Sequence, residues 1–241
     1  MNQDDKMQAS SPPEESGPEP EQLIVPFEDP SKEFFTGFFE TIKLILTKPT
    51  HFFKNYKLDG SIGKPLLFAV MIGWTTSIIS IIWGTIISES IFSVLREHLP
   101  DVEGVDWEQF GAGTGSLDAI LGMIFAPIAI VIGMFIISGI YHLFLLMVKG
   151  ANKNFETTFN VVAYGMVSHI AEIIPFCGGI ISWIYGIILA IIGLTEAHKT
   201  NSWKAVFAVF GPILLCCLCC LLIVLVLGGS GFLATLSDYY R

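Results

Sequence analysis

Residues 119–148 read AILGMIFAPIAIVIGMFIISGIYHLFLLMV, thirty positions without one Asp, Glu, Lys or Arg. A helix rises about 1.5 Å per residue and the hydrocarbon core of a bilayer is about 30 Å thick, so about 20 apolar residues are enough to cross it. The stretch is longer than that and carries no charge. It predicts a transmembrane helix and decides the fold class.

Working outward, four more stretches predict spans: Pro65 to Ile91, Thr157 to Ile174, Cys177 to Thr195 and Lys204 to Gly228. Pro65 suits a first helical turn, where its missing N–H costs nothing. The stretch from Thr157 is the most polar, with Asn160, Tyr164, His169 and Glu172 inside it. Pro175-Phe176-Cys177-Gly178-Gly179 reads as a tight turn, so the spans on either side of it are expected to pair antiparallel. The expected fold is all-α, a polytopic transmembrane bundle of five spans over residues 59–232, with a short outer tail over 233–241.

Overall, 52% of the 241 residues are hydrophobic and 15% are charged, against about 25% charged in an ordinary soluble domain. The net charge of −9 belongs to two blocks, not to a groove. Eight of the 22 acids lie in residues 1–30 and seven lie between Glu89 and Asp118. No basic stripe is available to follow phosphates, which argues against nucleic acid as a partner. The first 22 residues contain no apolar run of the kind a secretory signal needs, so the first span is expected to serve as the insertion signal.

Orientation follows from the lysines, because cytoplasmic loops collect Lys and Arg. With the N-terminus inside, Lys6, Lys32, Lys43, Lys48, Lys54, Lys57, Lys64, Lys149, Lys153, Lys199 and Lys204 are inside. Only Arg96 and Arg241 are then outside. The opposite orientation reverses that count. The C-terminus is expected outside.

Residues 1–28, with Pro12-Pro13-Glu14-Glu15 and Pro18-Glu19-Pro20-Glu21, bury too little apolar area to offset chain entropy. They read as a disordered cytoplasmic tail, with a docking peptide as the alternative. Residues 29–58 differ. Phe34, Phe35, Phe38, Phe39, Ile42, Ile45 and Leu46 recur at helical spacing, with Lys32, Glu33, Thr36, Glu40 and Lys43 between them, and Pro49 ends the pattern. The stretch is too charged to span. It predicts an amphipathic helix in the headgroup region, led by Phe35, Phe38, Phe39 and Ile42 and drawn to anionic lipid by its lysines. A helix packed on the protein's own bundle is the alternative.

These features together resemble the Yip family, the Ypt-interacting five-span membrane proteins, in its prokaryotic branch. The resemblance starts at Leu46-Thr47-Lys48-Pro49-Thr50-His51-Phe52-Phe53 and continues at Gly63-Lys64-Pro65-Leu66-Leu67-Phe68. It is clearest at Phe155-Glu156-Thr157-Thr158-Phe159-Asn160-Val161-Val162-Ala163-Tyr164. Ile174-Pro175, Ile192-Gly193-Leu194 with His198, and Lys204-Ala205 follow in order. It covers about residues 33 to 215. It implies five spans, a cytoplasmic N-terminus and, for a prokaryotic member, the bacterial inner membrane. In eukaryotes the family is linked to small GTPases and vesicle traffic. The Asp-Leu-Tyr-Gly-Pro run of the eukaryotic branch is missing from this sequence, so that role is not implied.

Three polar residues inside the expected spans are candidate functional groups: Glu172, His169 and His142. His169 and Glu172 share a helix face at i and i+3 and could bind a metal or pass a proton. Glu172 lies only three residues before Pro175, roughly 5 Å from the outer end, which favours a structural or interfacial role. His142 is expected to bond a neighbouring helix, because its depth differs from that of His169 by roughly 8 Å, too much for a shared metal.

Other groups read as structural. Cys216, Cys217, Cys219 and Cys220 lie on one apolar helix; they supply neither a disulfide framework nor a four-ligand site, and are expected as small apolar filling. Small-residue stripes, Gly178/Ser182/Gly186/Ala190 and Thr76/Ser80/Gly84/Ser88, let helices approach closely, more readily within one chain than between chains. Asp101, Glu103, Asp106 and Glu108 lack EF-hand spacing and read as a solvated outer loop.

No nucleophile elbow, phosphate loop or dinucleotide fingerprint is present. The expected role is therefore a non-enzymatic organiser of membrane partners or lipid. Its partners are the lipid bilayer and other membrane proteins or a second copy, and no cofactor is implied. The alternative is a small transporter or channel using the polar face of the third span.

Overall fold

The computed structural model describes residues 23–58, 60–98 and 116–239. Their elements are helices: α1 (Phe34–Thr47), α2 (Pro49–Asn55), α3 (Gly63–His98), α4 (Ser116–Met147), α5 (Phe155–Gly165), a 3-10 segment (Met166–Ile173), α6 (Gly178–Ala197) and α7 (Ser202–Tyr239). The only extended pairing among the described residues is a bridge between Leu23 and Tyr56.

Four helices are long and apolar enough to cross a membrane: Gly63–Ile87 of α3, Ala119–Met147 of α4, Gly178–Ala197 of α6 and Ser202–Leu225 of α7. Their outer faces are greasy at helical spacing. Ile124, Ile128, Ile132 and Ile136 of α4 are each more than half exposed, as are Leu214, Leu218, Leu221, Leu222 and Leu225 of α7. Faces this large and this apolar have lipid, not water, as their solvent. Pro127 and Pro212 lie inside α4 and α7 without ending them.

The expected third span has a different structure. It is α5 followed by the 3-10 segment, not one α-helix. At rises of about 1.5 and about 2.0 Å per residue the two halves together reach about 32 Å, still a bilayer's thickness. The 3-10 half is packed between α3 and α6, which is where irregular backbone is tolerated at membrane depth. Trp83 of α3 donates its Nε1–H to the Ile173 carbonyl at 3.2 Å and occupies one group the irregular segment frees.

The turn between this segment and α6 is short. Phe176 adopts a left-handed backbone (φ 65°), and Gly178 N–H closes onto the Ile174 carbonyl at 3.0 Å. α6 therefore returns antiparallel to the 3-10 segment, as the Pro-Phe-Cys-Gly-Gly run predicts.

The other end of the bundle is built from two matching caps. α4 ends with Lys149 in the left-handed region and Gly150 N–H bonded to the Leu145 carbonyl at 2.7 Å. α6 ends with Lys199 left-handed and Thr200 N–H bonded to the Thr195 carbonyl at 3.0 Å. Both are Schellman-type caps, with lysine taking the place glycine usually holds. The two loops touch, since Asn152 donates its side-chain amide to the Lys199 carbonyl at 3.2 Å. Lys204 reaches back to the Lys149 carbonyl at 2.8 Å.

The aromatic core lies toward this lysine-rich end. Tyr164 of α5 meets Phe52 of α2 and Phe68 of α3 with ring centroids 5.3 and 5.1 Å apart. Phe53 packs by Gly193 of α6, where an added Cβ would lie 2.5 Å from Val161 and 3.2 Å from the Phe53 ring.

The N-terminal segment departs from expectation. Residues 1–22 of the expected disordered tail lie outside the described residues, but residues 23–28 lie against the chain, with Val25, Pro26 and Phe27 buried. Leu23 exchanges backbone hydrogen bonds with Asn55 and Lys57, each 2.8 Å. Val25 is fully buried, and Phe27 N–H donates to Thr41 Oγ1 at 3.0 Å. Leu23-Ile24-Val25-Pro26-Phe27 is an apolar island between acidic flanks, long enough to bury but too short to stand out in composition. At the other terminus α7 runs on to Tyr239, through most of the stretch read as an outer tail. The acidic loop with Asp101, Glu103, Asp106 and Glu108 lies outside the described residues.

Candidate functional site

A groove of about 570 Å³ opens along α4, α5, the 3-10 segment, α6 and the lower part of α7. Ile130, Met134 and Ile137 form one wall, and Trp183, Ile187 and Ala190 the other. The polar groups Ser168, His169, Glu172 and Ser182 gather toward the Phe176 turn, with Tyr141 toward the opposite end.

The 3-10 winding sets this cluster, because side chains at i and i+3 eclipse there. His169 Nδ1 and Glu172 Oε1 are 2.7 Å apart. Ser182 of α6 donates to the same oxygen at 3.3 Å, and Ser80 of α3 donates to Oε2 at 3.4 Å. One carboxyl group thus ties together α3, the 3-10 segment and α6. His169 pairs with Glu172 as the i, i+3 spacing implies, while His142 lies elsewhere. Among the described residues no group of three or more His, Cys, Asp or Glu is placed to hold a metal ion.

His142 belongs to a second polar chain near the lysine-rich end. His142 Nδ1 lies 2.7 Å from Thr158 Oγ1, and that oxygen lies 2.9 Å from His198 Nε2. Lys153 N–H donates to His198 Nδ1 at 3.3 Å. The backbone donor fixes the His198 tautomer. Its Nδ1 accepts, so Nε2 carries the proton and donates to Thr158 Oγ1, and the His198 ring is neutral in this arrangement. His198 is fully buried at the end of α6, and burial, then His142, then Lys153 push its pKa down to about 4. His142 does bond a neighbouring helix, but nothing in the local sequence marked His198 and Thr158 as its partners.

Glu28, half-buried, holds a third polar cluster. Tyr164 donates its hydroxyl to the Glu28 carboxyl group, and Lys64 donates to the Glu28 carbonyl at 2.7 Å. Burial pushes the Glu28 carboxyl up, against the Tyr164 hydrogen bond and the Lys64 charge, which lower it.

The residues expected at the membrane surface divide into two sets. α1 buries Gly37, Thr41 and Ile45 against the chain, and an added Cβ at Gly37 would lie 2.4 Å from the Pro26 carbonyl oxygen. Phe38 and Ile42 turn partly inward onto the core, with the Phe38 ring 5.1 Å from Phe68. Phe35 and Phe39 point away, 67% and 63% exposed, beside exposed Phe34 and Leu46. One side of this helix is therefore packed on the bundle, and the other side is exposed.

The cysteines do not fill the core. Cys216, Cys217, Cys219 and Cys220 are all exposed on α7. The Gly178/Ser182/Gly186/Ala190 stripe is used within the chain: Gly178 packs on the Ala171 carbonyl and Gly186 on Ser168. In the second stripe Thr76 is buried and Ser80 bonds Glu172, while the Ser88 side chain lies outside the described residues.

A family model described as Yip1 domain matches residues 43–224, from the second half of α1 through the apolar part of α7. No curated protein and no solved structure matches the chain. The matched stretch contains the four apolar helices, the split third segment and both polar clusters, well over half of the sequence. The chain belongs to the Yip1 domain family and is a multi-pass membrane protein.

Proposed function

We propose that this protein is a non-enzymatic organiser of lipid or membrane partners, acting through the outward face of α1. The observation behind this reading is the division of α1 into two faces. Gly37, Thr41 and Ile45 hold the helix on the bundle, while Phe35 and Phe39 are mostly exposed and Phe34 and Leu46 are exposed beside them. Exposed Lys43 and Lys48 lie on the same helix and its cap, as suits an anionic surface. In this reading α1 lies at the headgroup level of the cytoplasmic leaflet.

A peptide of residues 29–50 is expected to become helical with anionic vesicles and to bind less tightly at high salt. Each buried aromatic contributes on the order of 2 kcal/mol, so replacing Phe35 and Phe39 together by Ser should reduce binding by more than a hundredfold. A peptide indifferent to vesicles would remove the support for this function.

The membrane domain is read as five spans, with α5 and the 3-10 segment as the third, the N-terminus in the cytoplasm and the C-terminus outside. The clustering of the Lys149–Lys153 and Lys199–Lys204 loops at one end of the bundle supports this orientation. Reporters fused at Gly104, Asn152, Thr200 and Ser237 should report out, in, in and out. A cytoplasmic signal at Ser237 would overturn either the count or the orientation.

Transport along the polar face of the third segment is the rival reading. It needs a polar path through the bundle, whereas the groove beyond the Glu172 cluster is lined by Ile130, Met134, Ile137, Val161 and Ile187.

A further inference from the structure

We propose that the groove between α4 and α6 binds one acyl chain of a membrane phospholipid with a primary-amine headgroup, and that Glu172 receives the ammonium. This goes beyond the reading of α1 and concerns a different surface.

The dimensions come first. The groove runs from Ile130 to Tyr141 on α4 and from Gly179 to Ala190 on α6, in each case about 16 Å at helical rise. That is about half of a roughly 30 Å hydrocarbon core, the depth of one leaflet and the reach of one acyl chain. The volume lies within the usual range for ligand sites, about 300–1,000 Å³. The walls are largely apolar, aliphatic side chains with Trp183 among them, and Gly133, Gly165 and Gly179 line open space, with nothing within 4 Å of where a Cβ would stand. Left empty, such a space forfeits dispersion contacts on every wall, and in a bilayer the adjacent lipid chain is what fills it.

The headgroup preference follows from the polar end. Glu172 is the one acid lining the groove among the described residues, and neither Lys nor Arg lines it. Its Oε1 already accepts from His169 and Ser182, whereas Oε2 accepts only from Ser80, at 3.4 Å, and keeps room for another donor. An ethanolamine ammonium brings both charge and N–H donors to that oxygen. A choline headgroup brings charge without an N–H. A glycerol headgroup brings hydroxyls and a net negative lipid. The Glu172 cluster lies beside the Phe176 turn, at the end of the bundle where a headgroup stands.

The test uses the purified full chain and native mass spectrometry, titrating phospholipids of identical acyl chains with ethanolamine, choline or glycerol headgroups. The wild type is expected to retain the ethanolamine lipid about tenfold more tightly than either other, the equivalent of one charge-assisted hydrogen bond. Glu172→Gln should erase that preference while still binding acyl chains. Gly133→Leu, which fills the open wall, should weaken all three lipids by a similar factor. Equal retention of the three lipids by the wild type would overturn the proposal without recourse to any variant. So would a preference that survives in Glu172→Gln. A free alkylamine outcompeting the ethanolamine lipid would assign the site to a single-chain amine instead and equally overturn it.

Discussion

Gly178→Ala is expected to destabilise the purified protein by about 3 kcal/mol, the upper end of the usual cost of overpacking. Gly178 opens α6 directly after the Phe176 turn. An alanine Cβ there would lie 2.3 Å from the Ala171 carbonyl oxygen and 2.9 Å from the Glu172 Cα. Both obstacles are backbone atoms, so no rotamer change relieves the clash. The 3-10 segment would have to move away from α6, drawing Glu172 from Ser182 and Ser80. The neighbouring position provides the control. Gly179 has nothing within 4 Å of its Cβ direction. Gly179→Ala is therefore expected to be neutral or to stabilise by up to about 1 kcal/mol, through helix propensity alone. Denaturation of the two variants in the same detergent measures the contrast. Equal stabilities would mean that the close approach of the 3-10 segment to α6 is not maintained in the folded protein.

That contrast also shows which features can be read from the sequence. The four long spans are visible because an uncharged run of 20 or more residues has one physical outcome. The turn at Pro175 is visible because Pro and Gly punctuate it. The pairing of His169 with Glu172 is visible because i, i+3 places them together in any tight helix. The switch from α-helix to 3-10 at Met166 was not visible. Hydropathy is blind to winding, and the cause is tertiary: Gly178 and Gly186 of α6 let the 3-10 segment come close enough to settle against them. Phe35 and Phe38 look equivalent on a helical pattern, yet only the placement of Phe27 and Phe68 decides that Phe38 turns inward. The partners of Glu172 illustrate the same limit, since Ser80 is 92 positions away.

The histidine chain is the feature least accessible to sequence reading and gives stability a pH dependence. Stability should fall by about 3 kcal/mol between pH 6.5 and pH 4 on account of His198 alone. The sign follows from which state holds the proton. An ordinary histidine titrates at 6.5, but in the folded protein burial, with His142 and Lys153 nearby, pushes His198 down to about 4. Above pH 6.5 the ring is neutral in both states and contributes no slope. Between 6.5 and 4 the unfolded chain binds a proton that the folded chain refuses, so each falling unit costs about 1.4 kcal/mol. Below 4 the folded protein takes the proton too and the slope vanishes. The hydrogen bonds explain the refusal. A second proton on His198 would have to go to Nδ1, which already accepts from Lys153 N–H. His198→Gln separates this titration from that of every carboxyl group in the chain. The amide can still donate to Thr158 but removes the buried ring and its bond from Lys153 N–H, so the variant should be less stable by about 1–3 kcal/mol at pH 7.5. Its deficit should then shrink as the pH falls from 6.5, because it has no imidazole to protonate on unfolding. The comparison is of unfolding midpoints for the two proteins at matched pH. Parallel curves would mean that His198 is not held neutral in the fold, and that its Nδ1 does not accept from Lys153 N–H.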